Sequence, residues 1–416
     1  MAASGVANNS RQREHQRVEV QSFPITRSCP LEPPPIYSKL RLEGPLAKVQ
    51  LWNGEHAWLV TRFEDVRSVL LDKRFSESPL TPGYPMLSPA RAALVAGDTL
   101  ITQTQGDEHQ RMRRALSREL SVKRVEAERP MARQICNDLI DEMIAKGPPA
   151  DLVSDLALQL PMRVIGKMLG VPYEDHEFFE KNSAARVALN VEPHVPLEAT
   201  RQLAEYFSNA LKEREANPDS SADDMLTRFA RDHVATGLIT HKQAVNLSYT
   251  AVQAGHETTA NMISLGVLML LNNRDQLDAM VKDPSLVKGA VEEMLRYLTI
   301  LQLGMARVAI EDVEVGGQII CKGEGLFAML ISANFDDKAF QCPEKFDITR
   351  PERHHVAFSY GVHQCAGQQL ARMEMQELFS VLFQRLPDLH VAIPFEEISF
   401  KHKNIVFGID RLPVAW

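Results

Sequence analysis

The sequence predicts a mainly α-helical protein with small β-sheets. Three observations lead there. The run from Leu238 to Asn273 passes more than thirty residues without a proline, enough helix to cross a whole domain. From about 106 to 297 the chain keeps helical character, broken only at GPP (147–149), GVP (170–172), VEPHVP (191–196) and NPDSSADD (217–224). β-like runs are short and lie towards the N-terminal side, within 306–332, and in the last thirty residues.

The elements follow in chain order. Residues 1–21 are polar and charged and read as a disordered leader; SCPLEPPP (28–35) is proline-rich and extended. AKVQLW and HAWLVTR flank Asn53-Gly54-Glu55, a hairpin with a strong turn signal. FEDVRSVLLD (63–72) is a short amphipathic helix. Residues 76–105 are interrupted by prolines and glycines and read as a long loop, a length that inside a compact domain points to function or disorder. Thr240 followed by Gln243 is a capping box that starts the long helix. Pro284 suits the start of the helix carrying EEMLRY. VEV and QII flank Gly316-Gly317, and a helix follows Cys365 from Gln368 to about Arg385. One domain over 22–416 is expected.

Composition narrows the class. The chain has 416 residues, 44% hydrophobic and 24% charged, with a net charge of −8. These values fit a globular protein and argue against nucleic acid as the partner. Five cysteines, Cys29, Cys136, Cys321, Cys342 and Cys365, are widely spaced with no CxxC pair. That disfavours a disulfide framework or a zinc ribbon and suggests a reducing cytoplasmic setting. The longest apolar stretch, MISLGVLMLL (262–271), is too short to span a bilayer, so no membrane anchor is expected.

Four stretches carry chemistry. In AGHETT (254–259), Ala254 and Gly255 leave space beside the backbone, and Glu257 and Thr258 set a carboxylate beside a hydroxyl. The plain structural reading is a Gly kink, a solvent-facing Glu and a Thr bonded to the preceding turn; the functional one is an acid and an alcohol handling protons beside a cofactor. In EEMLRY (292–297), Glu293 and Arg296 share a helical face, alone no more than an ion pair worth about 0.3 kcal/mol. In GDEHQRMRR (106–114), His109 and Arg113 share a face, either a solvated basic helix or donors for a dianionic group. In FSYGVHQCAG (358–367), Cys365 stands among glycines. It could be a core thiol, a zinc ligand, a nucleophile or an axial ligand. No second Cys/His pair has matching zinc spacing, and a core thiol needs no glycines. Gly361 and Gly367 would let a flat group lie against the loop while free N–H groups stabilise a thiolate.

Together, in this order and at these separations, the stretches resemble the cytochrome P-450 family, in its soluble bacterial branch. FSYGVHQCAG resembles the haem-ligand loop, AGHETT the oxygen-activation stretch of the long central helix over the haem, and EEMLRY the E-x-x-R helix. FDITRPERHH (346–355) resembles the segment before the Cys loop, and His109, Arg113 and Arg307 resemble propionate contacts. The resemblance implies the cytochrome P-450 fold and one haem b (iron protoporphyrin IX) per chain. Cys365 would be its metal ligand, and a thiolate ligand favours O–O cleavage. His109, Arg113, Arg307 and His355 would meet the propionates, and Phe358, Gly361, Gly367, Ala254 and Gly255 would lie against the macrocycle, Gly255 opening the helix. Glu293, Arg296 and Arg350 would form a structural ion-pair cluster holding the Cys loop. Thr258 and Glu257 would run the proton step. Departures are Ser359 where many relatives have Gly, Ala366 after the Cys, and QTQGDEH before the basic helix.

The implied activity is insertion of one oxygen atom from O2 into a hydrophobic organic substrate, as hydroxylation or epoxidation in natural-product tailoring. Leu87, Leu94, Val187, Leu189, Val252, Leu301, Leu303 and Ile405 would line the pocket, with no charge cluster demanding an ionic substrate. Electrons would come from a ferredoxin and an NAD(P)H-dependent ferredoxin reductase, the acidic ferredoxin docking on Arg111, Arg114, Arg118, Lys123 and Arg124. A monomer is expected. The alternatives are a nitric oxide reductase or oxidative coupling enzyme of the same haem-thiolate class, or a non-catalytic haem-binding protein. Glu257 argues against the reductase, whose members tend to lack an acid there.

Overall fold

The computed structural model describes residues 20–97, 101–189, 191–217 and 221–416, and only the backbone of 95–97 and 187. Its helices are α1 (Ile36–Glu43), α2 (Phe63–Leu71), α3 (Pro89–Gly97), α4 (Gly106–Glu119), α5 (Val122–Ala127), α6 (Arg129–Lys146), α7 (Gln159–Leu169), α8 (His176–Val187), α9 (His194–Ala216), α10 (Met225–Arg228), α11 (His241–Asn272), α12 (Arg274–Lys282), α13 (Val287–Leu298), α14 (Leu330–Ala333) and α15 (Gln368–Arg385).

The strands are short: β1 (Gln21–Ser22), β2 (Leu46–Gln50), β3 (His56–Val60), β4 (Phe75–Ser76), β5 (Ala150–Asp151), β6 (Met305–Ala309), β7 (Val313–Val315), β8 (Gln318–Ile320), β9 (Gly325–Ala328), β10 (His390–Val391) and β11 (Pro413–Ala415). They form a six-stranded sheet in the order β1-β2-β3-β9-β6-β4, a three-stranded sheet β10-β11-β5 and the hairpin β7-β8.

The expected hairpin is β2–β3, paired from Leu46 with Val60 to Gln50 with His56, and Gly54 turns it at φ +84°. The long helix is α11. The Thr240 side chain accepts from the Gln243 N–H while the Gln243 side chain accepts from the Thr240 N–H. Most of α11 is buried against the surrounding helices, and the main apolar core gathers around α6, α7, α11, α13 and α15. A second cluster sits between α2 and the large sheet, a third under β3 and β9.

Three expectations change. Most of the proposed leader lies outside the described residues, but Gln21 belongs to β1, paired parallel with Val49, so order begins before residue 22. The loop 76–105 contains α3 and a 3-10 turn at Ile101–Gln103. Pro89 fits the first turn and ARAALVA supplies helix formers, a signal the surrounding prolines obscured. The break at 191–196 is narrower than expected because α9 already begins at His194.

Candidate active site

Cys365 is set by a tight loop. Its N–H donates to Phe358 O at 2.9 Å, Ser359 N–H donates to Val356 O at 2.8 Å, and Gly361–His363 form a 3-10 turn. Gly367 is the N-cap of α15. Burial pushes the Cys365 thiol up, while the N–H groups of Gly367 and Gln368 and the positive charges of Arg113 and Arg372 oppose it. These are the donors a thiolate needs at a helix N-terminus. The thiol lies deep in the fold and yet its side chain is open. A bound group can therefore reach the sulfur.

A second open residue is Ala254. It is open in the middle of α11, between buried stretches at Ala244–Val252 and Thr259–Leu270. Thr258 is half-buried and its hydroxyl donates to Ala254 O at 2.5 Å. Glu257 is buried, not solvent-facing. One of its oxygens lies 4.0 Å from Lys401 Nζ and the other has no partner. Burial pushes the Glu257 carboxyl up, and Lys401 pulls it back. Gly255 is placed differently from expectation. A Cβ there would meet Ile165 Cγ1 at 3.6 Å, so its missing side chain faces α7, and Ala254 is the small residue that opens.

A cleft of about 570 Å³ lies beside the Cys loop, lined by His109, Arg113 and Arg307 together with Glu77 and His363. The His109 and His363 rings lie 4.1 Å apart, and His363 Nε2 hydrogen-bonds Glu77. Burial, with His363 and Arg113 adding to it, holds His109 down at about 4. Burial also lowers Arg113 and Arg307. The Arg307 guanidinium donates to Ala306 O at 2.8 Å. The cleft thus gathers Arg113, Arg114, Arg307, Lys73 and two histidines against the carboxylates of Asp72 and Glu77, a cationic donor set that suits a prosthetic group bearing two carboxylates.

His355 stands elsewhere. Its Nε2 is 3.1 Å from Glu292 Oε2, and its Nδ1 accepts from Ala357 N–H at 3.2 Å. With both ring nitrogens engaged, it has none left for a propionate; the second histidine of the cleft is His363. Glu292 also takes Arg372 at 2.6 and 3.0 Å. Although burial works to raise it, the His355 and Arg372 hydrogen bonds hold the Glu292 carboxyl at about 2. Arg372 lies 4.6 Å over the Phe358 ring, tying this cluster to the Cys loop.

Glu293, Arg296 and Arg350 do come together. Arg296 Nε and Nη2 both donate to Glu293 at 2.8 Å, and Arg350 Nε donates at 3.0 Å. Arg296 also donates to Asn334 O at 2.8 Å, and Asn334 Oδ1 accepts from Val356 N–H at 2.8 Å. A chain of bonds thus runs from α13 to the base of the Cys365 loop. Gly361, expected to face the cofactor, turns at φ +78°, and a Cβ there would come 2.8 Å from Leu70 O, so close approach to α2 requires it. At Gly367 a Cβ would meet only Cys365 Sγ, at 4.0 Å.

Among the pocket residues, Leu189 and Leu303 belong to the third apolar cluster, with Leu87 and Ile405 packed on it. Leu301 packs on both other clusters and pairs with Val406. Leu94 is buried on α3. Val252 is 1% exposed within the main core and closed off from a cavity, because the open face of α11 starts two residues later. The side chain of Val187 lies outside the described residues. Sequence reasoning missed His363, Glu77, Glu292, Arg372 and Lys401. His363 was visible inside FSYGVHQCAG but weighed only for zinc, and Glu292 stood inside EEMLRY beside Glu293 but was given no role; Glu77, Arg372 and Lys401 lie outside the four stretches, with no local pattern to mark them.

A family model for cytochrome P450 matches residues 192–391. Cytochrome P450-SU2 of Streptomyces griseolus is 42% identical over 397 residues, 95% of this chain and 97% of that protein. Cytochrome P450 GfsF of Streptomyces halstedii is 41% identical over 405 residues, 96% and 97% of the two chains. The structure of mycinamicin VIII C21 methyl hydroxylase from Micromonospora griseorubida matches with a TM-score of 0.90 at 36% identity, over 95% of this chain and all of that one. The chain belongs to the cytochrome P450 family. It is a monooxygenase, an oxidoreductase that places one oxygen atom from O2 into a hydrophobic organic substrate, and its family works with a haem held by a cysteine thiolate. No helix among the described residues is long and apolar enough to cross a membrane.

Proposed function

We propose that this chain hydroxylates a natural product, with residues 22–416 acting as one catalytic unit in the cytoplasm. The observation that carries the reading is the Cys365 thiol, open to an incoming group and backed by two N–H groups. One haem b would be held there by Cys365 and anchored through its propionates by His109, Arg113, Arg307 and His363. When bound, it supplies dioxygen activation and oxygen transfer. Relatives named as a vitamin D3 dihydroxylase, a pentalenic acid synthase and a 20-oxo-5-O-mycaminosyltylactone 23-monooxygenase support hydroxylation of large apolar products.

The chain's own residues have separable tasks. The N–H groups at the start of α15 favour the Cys365 thiolate against the burial that raises the thiol. Thr258 offers a hydroxyl on the open face of α11. Glu257, one residue before, takes up and releases protons because burial raises it towards neutrality while Lys401 restrains the rise. The apolar cluster around Leu87, Leu189 and Ile405 excludes water from the substrate.

Electrons would arrive from a ferredoxin and its NAD(P)H-dependent reductase. The exposed side chains of Arg111, Arg114, Arg118 and Lys123 carry no ion pair among the described residues, and Leu71 and Val362 beside them are exposed apolar residues. A cationic face with an apolar centre suits an acidic partner. We infer that the protein acts as a monomer in this exchange.

The test is the absorption spectrum of the dithionite-reduced, carbon monoxide-treated protein. A long-wavelength Soret band in the wild type, absent in Cys365→Ala, is the expected result. The same band in both proteins overturns the assignment of Cys365.

A further inference from the structure

The substrate-facing segment 78–104 carries two polar side chains that the haem reading leaves without a task. Arg91 on α3 reaches the end of α8, where its Nη1 donates to Arg186 O at 3.4 Å. That is the one hydrogen bond of its guanidinium among the described residues, so most of the five N–H donors of this group are unused. The Tyr84 hydroxyl, seven residues earlier, likewise has no hydrogen-bond partner among the described residues. Neither group's polar atoms are sealed in the packed core, since both side chains are only half-buried.

Both nevertheless lie deep. Burial lowers the Arg91 guanidinium and raises the Tyr84 hydroxyl, and each feels the other's charge. Half-buried groups with open polar atoms can be reached by a ligand. The carbonyl that Arg91 touches belongs to Arg186, whose own guanidinium donates to Gln253 Oε1 at 2.8 Å. Gln253 immediately precedes Ala254, the open residue of α11. Leu87 and Leu94 flank Arg91 in sequence and supply apolar wall.

The electrostatics are one-sided. No carboxylate of the described residues lies within ion-pair reach of Arg91, and Tyr84 is the only group that raises it. Glu77, the carboxylate that acts on Tyr84, is committed to His363 and Arg307. An arginine cannot discharge by losing its proton. A half-buried guanidinium with no carboxylate partner therefore favours a ligand that brings a negative charge.

We propose that Arg91, assisted by the Tyr84 hydroxyl, binds a carboxylate of the substrate, so that the protein selects apolar organic acids over their neutral esters. The proposal rests on the monooxygenase reading of the cavity and adds the anionic group to the substrate class. It modifies the expectation from sequence, in which no charged group in the pocket called for an ionic substrate. A single arginine contact fixes which end of an elongated acid is held, and so which of its carbons are presented for oxidation.

The experiment uses the haem-loaded full chain. Dodecanoic and abietic acids are compared with their methyl esters by equilibrium dialysis and by the substrate-induced Soret shift. The wild type is expected to bind the acids about tenfold or more tightly than the esters. Arg91→Met should abolish that preference by weakening acid binding alone, and Tyr84→Phe should reduce it in part. Equal binding of acid and ester, no binding of either acid, or a preference that survives Arg91→Met overturns the proposal. The reduced carbon monoxide spectrum of each variant is recorded in parallel. Loss of the thiolate band in the wild type would break the monooxygenase reading itself, a failure distinct from loss of the acid preference.

Discussion

Lys401 Nζ sits 4.0 Å from Glu257 Oε1 while donating to Asn261 Oδ1 at 3.2 Å. The cation reaches the carboxylate without bonding it fully, and the far oxygen of Glu257 is buried with no partner. Burial raises the carboxyl, and the nearby cation works against that rise. Gly408 fixes the spacing, since a Cβ there would come 1.8 Å from Asn261 Oδ1.

Glu257→Gln should therefore stabilise the protein while lowering product formation. The folded carboxyl has its pKa raised above the ordinary 4.5. Its protonated form favours folding below that value, and the benefit disappears as pH rises through the folded pKa. The variant should melt higher than the wild type at about pH 8, and the gain should shrink towards about pH 5. Calorimetric melting across this range checks it. A variant that melts lower at every pH would mean that the carboxylate is structural.

Glu293→Gln should unfold the Cys365 loop region. Glu293 and Arg296 are each about 1% exposed, and the change leaves two guanidinium groups facing one neutral amide. Breaking a buried pair of this kind costs about 3–5 kcal/mol. Denaturant melting and the yield of haem-loaded protein measure it. Unchanged stability would mean that the Asn334–Val356 link holds the loop unaided.

How much of this was legible depended on locality. The capping box at Thr240, the Asn53-Gly54 turn and the helix after Cys365 each signal through adjacent residues, and each is where the sequence placed it. Glu293 and Arg296 were visible as one helical face. His355 and His363 were not separable by pattern, because the choice between them depends on Glu292 and Glu77, which reach the loop from other elements. The direction of the missing side chain at Gly255 depends on where Ile165 packs, and spacing along a helix carries no such information.

Ser359→Gly should tighten the same loop. Ser359 holds φ +63°, and its buried hydroxyl has no partner. Left-handed backbone costs a residue with a Cβ about 1–2 kcal/mol, against about 0.5–1 kcal/mol for the extra freedom of glycine when unfolded. A net gain of up to about 1 kcal/mol is expected in denaturant melting. A loss would mean that the hydroxyl is satisfied by a group that enters with the haem.

His363→Leu should loosen haem retention, and His355→Leu should not. His363 packs on His109 within the cationic cleft, whereas His355 is bound to Glu292. Transfer of haem to excess apomyoglobin gives the rate for each variant. Equal rates for the two variants would return His355 to the propionate site.

The segment from Phe400 to Ile409 closes on itself, and it also pairs Asn404 with Ala188 and Val406 with Leu301. The same ten residues carry Lys401 to Glu257. The proposed wall contacts for the substrate and the restraint on the proposed proton-handling acid thus share one small module. Retailoring this module for a new substrate would also reset how much consumed oxygen ends in product, so that substrate range and oxygen economy are inherited together.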